Sequence, residues 1–182
     1  MAIPGAKSGR PEATEHGTYF GRYISLVAGD DVVSQLDAQR RETLVLLSSL
    51  SEADGDHRYA PDKWSVKEVL GHVCDTERIM SYRALRIGRG DATPLAGFEQ
   101  DDYVKTANFT RLGVGDSIED YIGVRRATLT LFRNFEDTAW HRMGVVSENP
   151  ASARALAYII AGHELHHRKI LQEKYFEETR GA

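Results

Sequence analysis

The chain has one cysteine, Cys74, which excludes an internal disulfide and points to a reducing compartment, the cytoplasm. It has only five prolines, and its apolar residues seldom alternate with polar ones, so strands are not expected and an all-α fold is. No apolar run approaches the length of about 18 residues that a membrane-spanning helix needs. Positive charge is not in excess. A net charge of −4 and an isoelectric point near 6.0 argue against nucleic acid as the main partner. The first ten residues, MAIPGAKSGR, lack the apolar stretch of a secretory signal. No internal repeat or low-complexity tract stands out. What the chain does have is 41% hydrophobic residues over 182 positions, enough for one good core and one domain. Residues 1–17 are polar and carry Gly and Pro, and are expected as a flexible arm, leaving 18–182 as the domain.

Four amphipathic stretches follow. Tyr19 to Val27 is apolar and aromatic and is expected to pack across the base of the first helix. That helix is capped by Asp30 or Asp31 and runs to about Leu50, with Val33, Leu36, Leu44 and Leu47 on its apolar stripe and Arg40 on the same face. Ser65 and Glu68 form a capping box that opens helix two. Its face is Val66, Val69, Leu70, Val73 and Met80, with His72 at the edge, Glu77 inside, and an end near Gly88. A long link follows, and links of that length cross over a bundle or carry function. A second box pattern, Asp116 and Glu119, opens helix three, which runs to about Phe135 with Arg125 in the middle of its stripe. Asn149 and Pro150 suit the cap and first position of helix four, which extends to Tyr175. Two short links and one long one describe a four-helix bundle with helices two and three parallel.

The chemistry concentrates on helix four. Leu156, Ile159, Ile160, Ile170 and Leu171 share a stripe, and His163 and His167 lie in its middle. Two imidazoles one turn apart and facing a core are either hydrogen-bonded core residues or metal ligands. A divalent cation satisfies both nitrogens at once. With His72 from helix two they make a three-histidine site open to water or substrate. Imidazole suits Zn²⁺, Ni²⁺, Fe²⁺ and Co²⁺ alike, so residue type does not choose the metal. His163 to His167 also spells H-E-x-x-H, the motif of zinc proteases, whose Glu is a general base. The context is wrong for a protease: no H-x-x-G-x-x-H extension follows, and Glu173, Glu177 and Glu178 continue the same helix and cannot return as a third ligand. Glu164 is either a catalytic group acting on metal-bound water or a solvated helix-face residue. His166 points about 100° away from the shared face of His163 and His167 and is read as a surface or supporting residue. Cys74 is read as a small buried hydrophobe. Arg40, Glu77 and Arg125 sit on apolar stripes, as a buried ion cluster or with an Arg, such as Arg125, holding an anionic substrate. Tyr103, with Asp101 and Asp102, lies in the long link, where it can cover the metal and contact substrate.

KWSVKEVLGHVCDTE followed far downstream by IIAGHELHHRKIL resembles the DinB/YfiT-like superfamily of the DinB_2 type. The matching residues are Trp64, Ser65, Glu68, Leu70 and His72 in a W-S-x-x-E-x-L-x-H signature, and His163 and His167 in H-x-x-x-H. FEQDDYV in the crossover also resembles family members, and the likeness spans about residues 30 to 176. The resemblance implies an up-down-down-up bundle, often a homodimer, with Zn²⁺ or Ni²⁺ on three histidines. It implies a small-molecule substrate and, in some members, thiol-dependent S-transfer with bacillithiol or mycothiol, or isomerisation of maleylpyruvate with a thiol cofactor. Many members carry the label of metal-dependent hydrolase. An anionic thiol would call for a basic lip, for which Arg83, Arg86, Arg89 and Arg111 are candidates. A non-catalytic, metal-stabilised bundle serving in stress response is the reading outside enzymology.

Overall fold

The structure, a computed structural model, describes residues 8–176. Four helices carry the fold: α1, Val32–Leu47; α2, Val66–Gly88; α3, Val114–Arg133; and α4, Ala153–Ile170. Each start has a chemical cause. The Asp31 carboxylate accepts from the Ser34 backbone N–H at 3.1 Å. Ser65 and Glu68 exchange side-chain and backbone bonds as the sequence implies. Asp116 accepts from the Gly113 N–H as the third residue of the helix rather than its cap, so α3 begins three residues before its expected start.

Chain direction follows from two apolar clusters. One gathers Val32 and Leu36, Ala84 and Ile87, Leu129 and Phe132, and Ala153 and Leu156. These are the start of α1, the ends of α2 and α3, and the start of α4. The other gathers Leu47, Val66 and Val69, Tyr121, and Leu171 with Tyr175, the opposite termini of the same helices. α1 and α4 therefore run one way and α2 and α3 the other: an up-down-down-up four-helix bundle. Because α2 and α3 are parallel, the chain must return the length of the bundle between them. It does so through residues 89–113, which include a short helix, Gln100–Ala107.

Several elements differ from expectation. Asn149 does not cap α4. Residues Asn149–Ser152 form a strand, β2, antiparallel to β1, Met143–Val146, and Ser152 caps the helix through the Ala155 N–H at 2.9 Å. Ser147 and Glu148 both have positive φ, 48° and 64°, the twist a two-residue hairpin needs; nothing in a Ser-Glu pair announces it. Leu95 of the crossover bonds to this hairpin, donating to Val145 O and accepting from Ser147 N–H, each at 2.9 Å. Tyr19–Val27 lies against α4 rather than the base of α1. Gly162 makes that possible, since a Cβ there would sit 2.0 Å from the Tyr23 carbonyl oxygen. The expected arm is held from Ser8 onward: Ser8 is buried, Arg10 donates to Ile24 O and Val27 O, and Glu15 pairs with Arg154. Residues 1–7 of that arm, and Glu177 and Glu178, lie outside the described residues. Glu173 continues the last helix as a π turn, Leu171–Phe176. Among the described residues no helix is long and apolar enough to cross a membrane.

Candidate metal centre

Between the two apolar clusters the bundle has a polar waist, and the three histidines meet there. His72 comes from α2, and His163 and His167 from one face of α4, one turn apart. The Nε2 atoms of His72 and His163 are 3.0 Å apart, and one ring nitrogen from each of the three lies within 4.8 Å of the others. Tetrahedral ligation at about 2.0–2.1 Å puts imidazole nitrogens roughly 3.3 Å apart, so small side-chain adjustments bring these three onto one ion. His72 and His163 are buried, with 3% and 5% exposure, and His167 is partly buried. Burial pushes the pKa of His72 down to about 4. Burial and then His72 push His167 down to about 3, and burial with the neighbouring rings holds His163 well below its ordinary range. At neutral pH all three rings are uncharged and offer lone pairs, the state a metal ligand requires. The donor set fits a divalent cation.

Packing fixes the rings. Trp64 lies against His72 with ring centroids 4.9 Å apart, which gives the tryptophan of the signature a physical role. Tyr23, from the N-terminal segment that Gly162 admits, meets His163 edge-on at 5.3 Å. The sequence reading placed Tyr23 near the bundle but not at the site. His166 is half-buried between Tyr23 and His167, in keeping with a supporting position.

Glu164 is not solvated. It is 3% exposed and accepts from Thr43 Oγ1 at 2.5 Å, Tyr121 Oη at 2.7 Å and Arg125 Nη2 at 2.5 Å. Arg125, fully buried, also donates to both oxygens of Glu77, at 2.8 and 2.7 Å, and to Leu36 O. Burial works against its charge, but Glu77 and Glu164 outweigh it and raise its pKa well above the ordinary value. Arg125 is therefore an internal tie among α1, α2, α3 and α4, not a substrate contact, and Glu164 is committed to it rather than to the metal side. Arg40 stays out of this cluster and pairs with Asp37 at 3.2 Å. Cys74 is buried, and burial pushes its thiol pKa upward, away from thiolate chemistry.

Two cavities reach the triad. One, of about 760 Å³, is lined by His163, Thr76, Met80 and Arg83 from the bundle and by Phe98, Asp101 and Tyr103 from the crossover. The other, of about 260 Å³, is lined by His167, Trp64, Tyr175 and again Asp101. Tyr103 and Asp101 thus stand where a cover over the centre is expected. The four arginines do not form a ring. Arg83 lines the larger cavity, Arg86 is paired with Asp91, Arg89 lies over Phe135, and Arg111 belongs to a turn, Phe109–Arg111.

Fold and site together define a helical-bundle protein with a three-histidine centre. Residues 35–171 match the family model of the DinB superfamily, and the chain belongs to that family. Among solved structures it is similar to YfiT from Bacillus subtilis, described as a probable metal-dependent hydrolase with an unusual four-helix bundle topology. The TM-score is 0.69 at 12% identity, with 93% of each chain covered. No curated protein matches the chain in sequence.

Proposed function

We infer that the protein is a divalent-metal-dependent enzyme acting on a small molecule, with His72, His163 and His167 holding the cation. The observation that carries this reading is the meeting of three uncharged imidazoles at two cavities. A closed centre would suit a purely structural metal, whereas this one has space for reactants on two sides. A divalent cation so held lowers the pKa of a bound thiol or water, so that thiolate or hydroxide forms near neutral pH.

The two cavities favour thiol-dependent S-transfer: one admits a low-molecular-weight thiol, the other an electrophile. Sulfur bonds to the electrophilic carbon, the leaving group departs with the electron pair, and the thiol proton is taken up by a base. We assign that proton to Asp101, a carboxylate that lines both cavities. Glu164 is withdrawn from the role by its three donors. Trp64 and Tyr23 keep the imidazoles in position, and Tyr103 closes the larger cavity. The likeness to YfiT supports a second reading, hydrolysis, which needs one cavity for the substrate and one for water.

The test begins with elemental analysis of the purified protein and its His72→Ala, His163→Ala and His167→Ala variants. Near one metal per chain is expected in the parent and close to none in the last two; undiminished metal in them removes the centre. Zn²⁺- and Ni²⁺-loaded protein is then assayed with several thiols against chlorodinitrobenzene, and with ester and amide substrates. Thiol consumption matched by conjugate supports transfer, and thiol-independent cleavage supports hydrolysis. Turnover that survives chelation and His163→Ala refutes both.

A further inference from the structure

The larger cavity contains, among the described residues, a guanidinium without a counter-charge and a hydroxyl without a hydrogen-bond partner. Arg83 is 3% exposed, yet no carboxylate pairs with it among the described residues. Its guanidinium donates to the Ala96 carbonyl at 2.6 Å, lies 3.5 Å from the Met80 sulfur, and stands over the Phe98 ring at 5.5 Å. The contrast with Arg125, which is more deeply buried and bound by two carboxylates, is instructive. A buried cation without a counter-charge is costly, and burial accordingly lowers the pKa of Arg83. One face of the same helix carries the second group. Thr76 is 4% exposed, its hydroxyl has no hydrogen-bond partner among the described residues, and it lines the same cavity. Native structures seldom leave such a hydroxyl unsatisfied unless a ligand or water completes it.

The helix sets the spacing. Thr76 follows His72 by four residues and Arg83 by eleven, so all three fall on nearly one face. At 1.5 Å per residue the Cα atoms of His72 and Arg83 are about 16 Å apart along the axis, and because helical side chains lean toward the N-terminus the reach of Arg83 shortens that span. We propose that Arg83, with Thr76 part-way along, is the anion-recognition end of the substrate cavity. The small molecule presented to the triad then carries a carboxylate on the order of 10 Å from its reacting atom. Glu99, Asp101 and Asp102 also line this cavity, but they are exposed and their repulsion is screened by salt. The charge facing a ligand in the dry interior is the guanidinium.

The proposal rests on the enzyme reading for its meaning, but its test does not. The probes are 4-phenylbutyrate, its uncharged amide and 4-phenylbutylamine, which offer one apolar body for the Phe98 wall with three different ends. Isothermal titration calorimetry is run on chelator-treated and on Zn²⁺-loaded protein, so that carboxylate bound to the metal is separated from carboxylate bound to Arg83. In both forms the carboxylate is expected to bind at least tenfold more tightly than the amide, and the amine most weakly. Arg83→Gln brings carboxylate and amide within twofold of each other, Arg83→Lys keeps part of the preference, and neither changes the metal content. Equal binding of acid and amide by the parent protein overturns the proposal without any variant having to fold, as does a preference that survives Arg83→Gln or exists only with metal. If the triad binds no metal but the Arg83-dependent preference remains, the enzyme reading fails and this one stands.

Discussion

Replacing Glu164 by Gln tests the electrostatics of the waist directly. The cluster of Glu77, Glu164 and Arg125 holds two carboxylates and one guanidinium, all nearly inaccessible to solvent. A glutamine at 164 keeps an oxygen for Tyr121 and Thr43, now 2.7 and 2.5 Å from one carboxylate oxygen. It loses the charge-assisted bond from Arg125, and bonds to charged groups contribute about 1.5–3 kcal/mol. It also removes the surplus negative charge, leaving a neutral Arg125–Glu77 pair, which offsets part of that loss. A net cost of about 1–2 kcal/mol remains, or a fall of roughly 3–6 °C in Tm for a chain of this size. Arg125→Met goes the other way, stranding two carboxylates with no cation, and breaking a buried pair costs about 3–5 kcal/mol. Urea and thermal unfolding followed by circular dichroism, with metal measured on the same samples, read both. Glu164→Gln should retain its metal. If it unfolds as readily as Arg125→Met, the charge argument is wrong. If stability and metal are unchanged while turnover drops by the roughly 100-fold or more expected for a lost general base, Glu164 is serving as the base of an H-E-x-x-H site after all.

Other outcomes follow from single contacts. Gly162→Ala would set a methyl 2.0 Å from the Tyr23 carbonyl, so a loss of about 3 kcal/mol in urea unfolding is expected; parental stability would show that the N-terminal segment does not lie there. Ser152→Ala removes the cap of α4 and should cost about 1 kcal/mol. Asn149→Ala should cost less, and the reverse order would move the helix start back to Asn149. Metal-free protein should lose stability on acidification. The folded pKa of His72 is about 4 against 6.5 for the free side chain, so the unfolded chain takes up the proton first. The stability this ring contributes is present above pH 6.5 and is lost as pH falls toward 4. His72 alone removes about 1 kcal/mol between pH 7.5 and 5.5, and a urea midpoint that stays level over that interval contradicts its burial as a neutral ring.

The histidines were legible because each local pattern constrained its residue strongly. His163 and His167 interrupt an apolar stripe at one-turn spacing, and His72 follows a capping box that sets the phase of its helix. Their convergence rested on the pairing of α2 with α4, which the long crossover and the family resemblance both implied. Arg40 and Arg125 show where such reasoning stops. Both lie on apolar stripes, yet only Arg125 faces carboxylates on two other helices, and partners 48 and 39 residues away leave no trace in local periodicity. The hairpin and the helix in the crossover escaped for a related reason: at four to eight residues they are too short to establish a period. Glu164 was different, because a signal existed. Ala153, Ala155, Ala157, Ala161 and Gly162 precede it in sequence and all are buried. A helix that carries small residues on every side of its apolar stripe is one that neighbours approach from every side. On such a helix a carboxylate has no solvated face to occupy, and the sequence already contains the tyrosine and arginine that meet it.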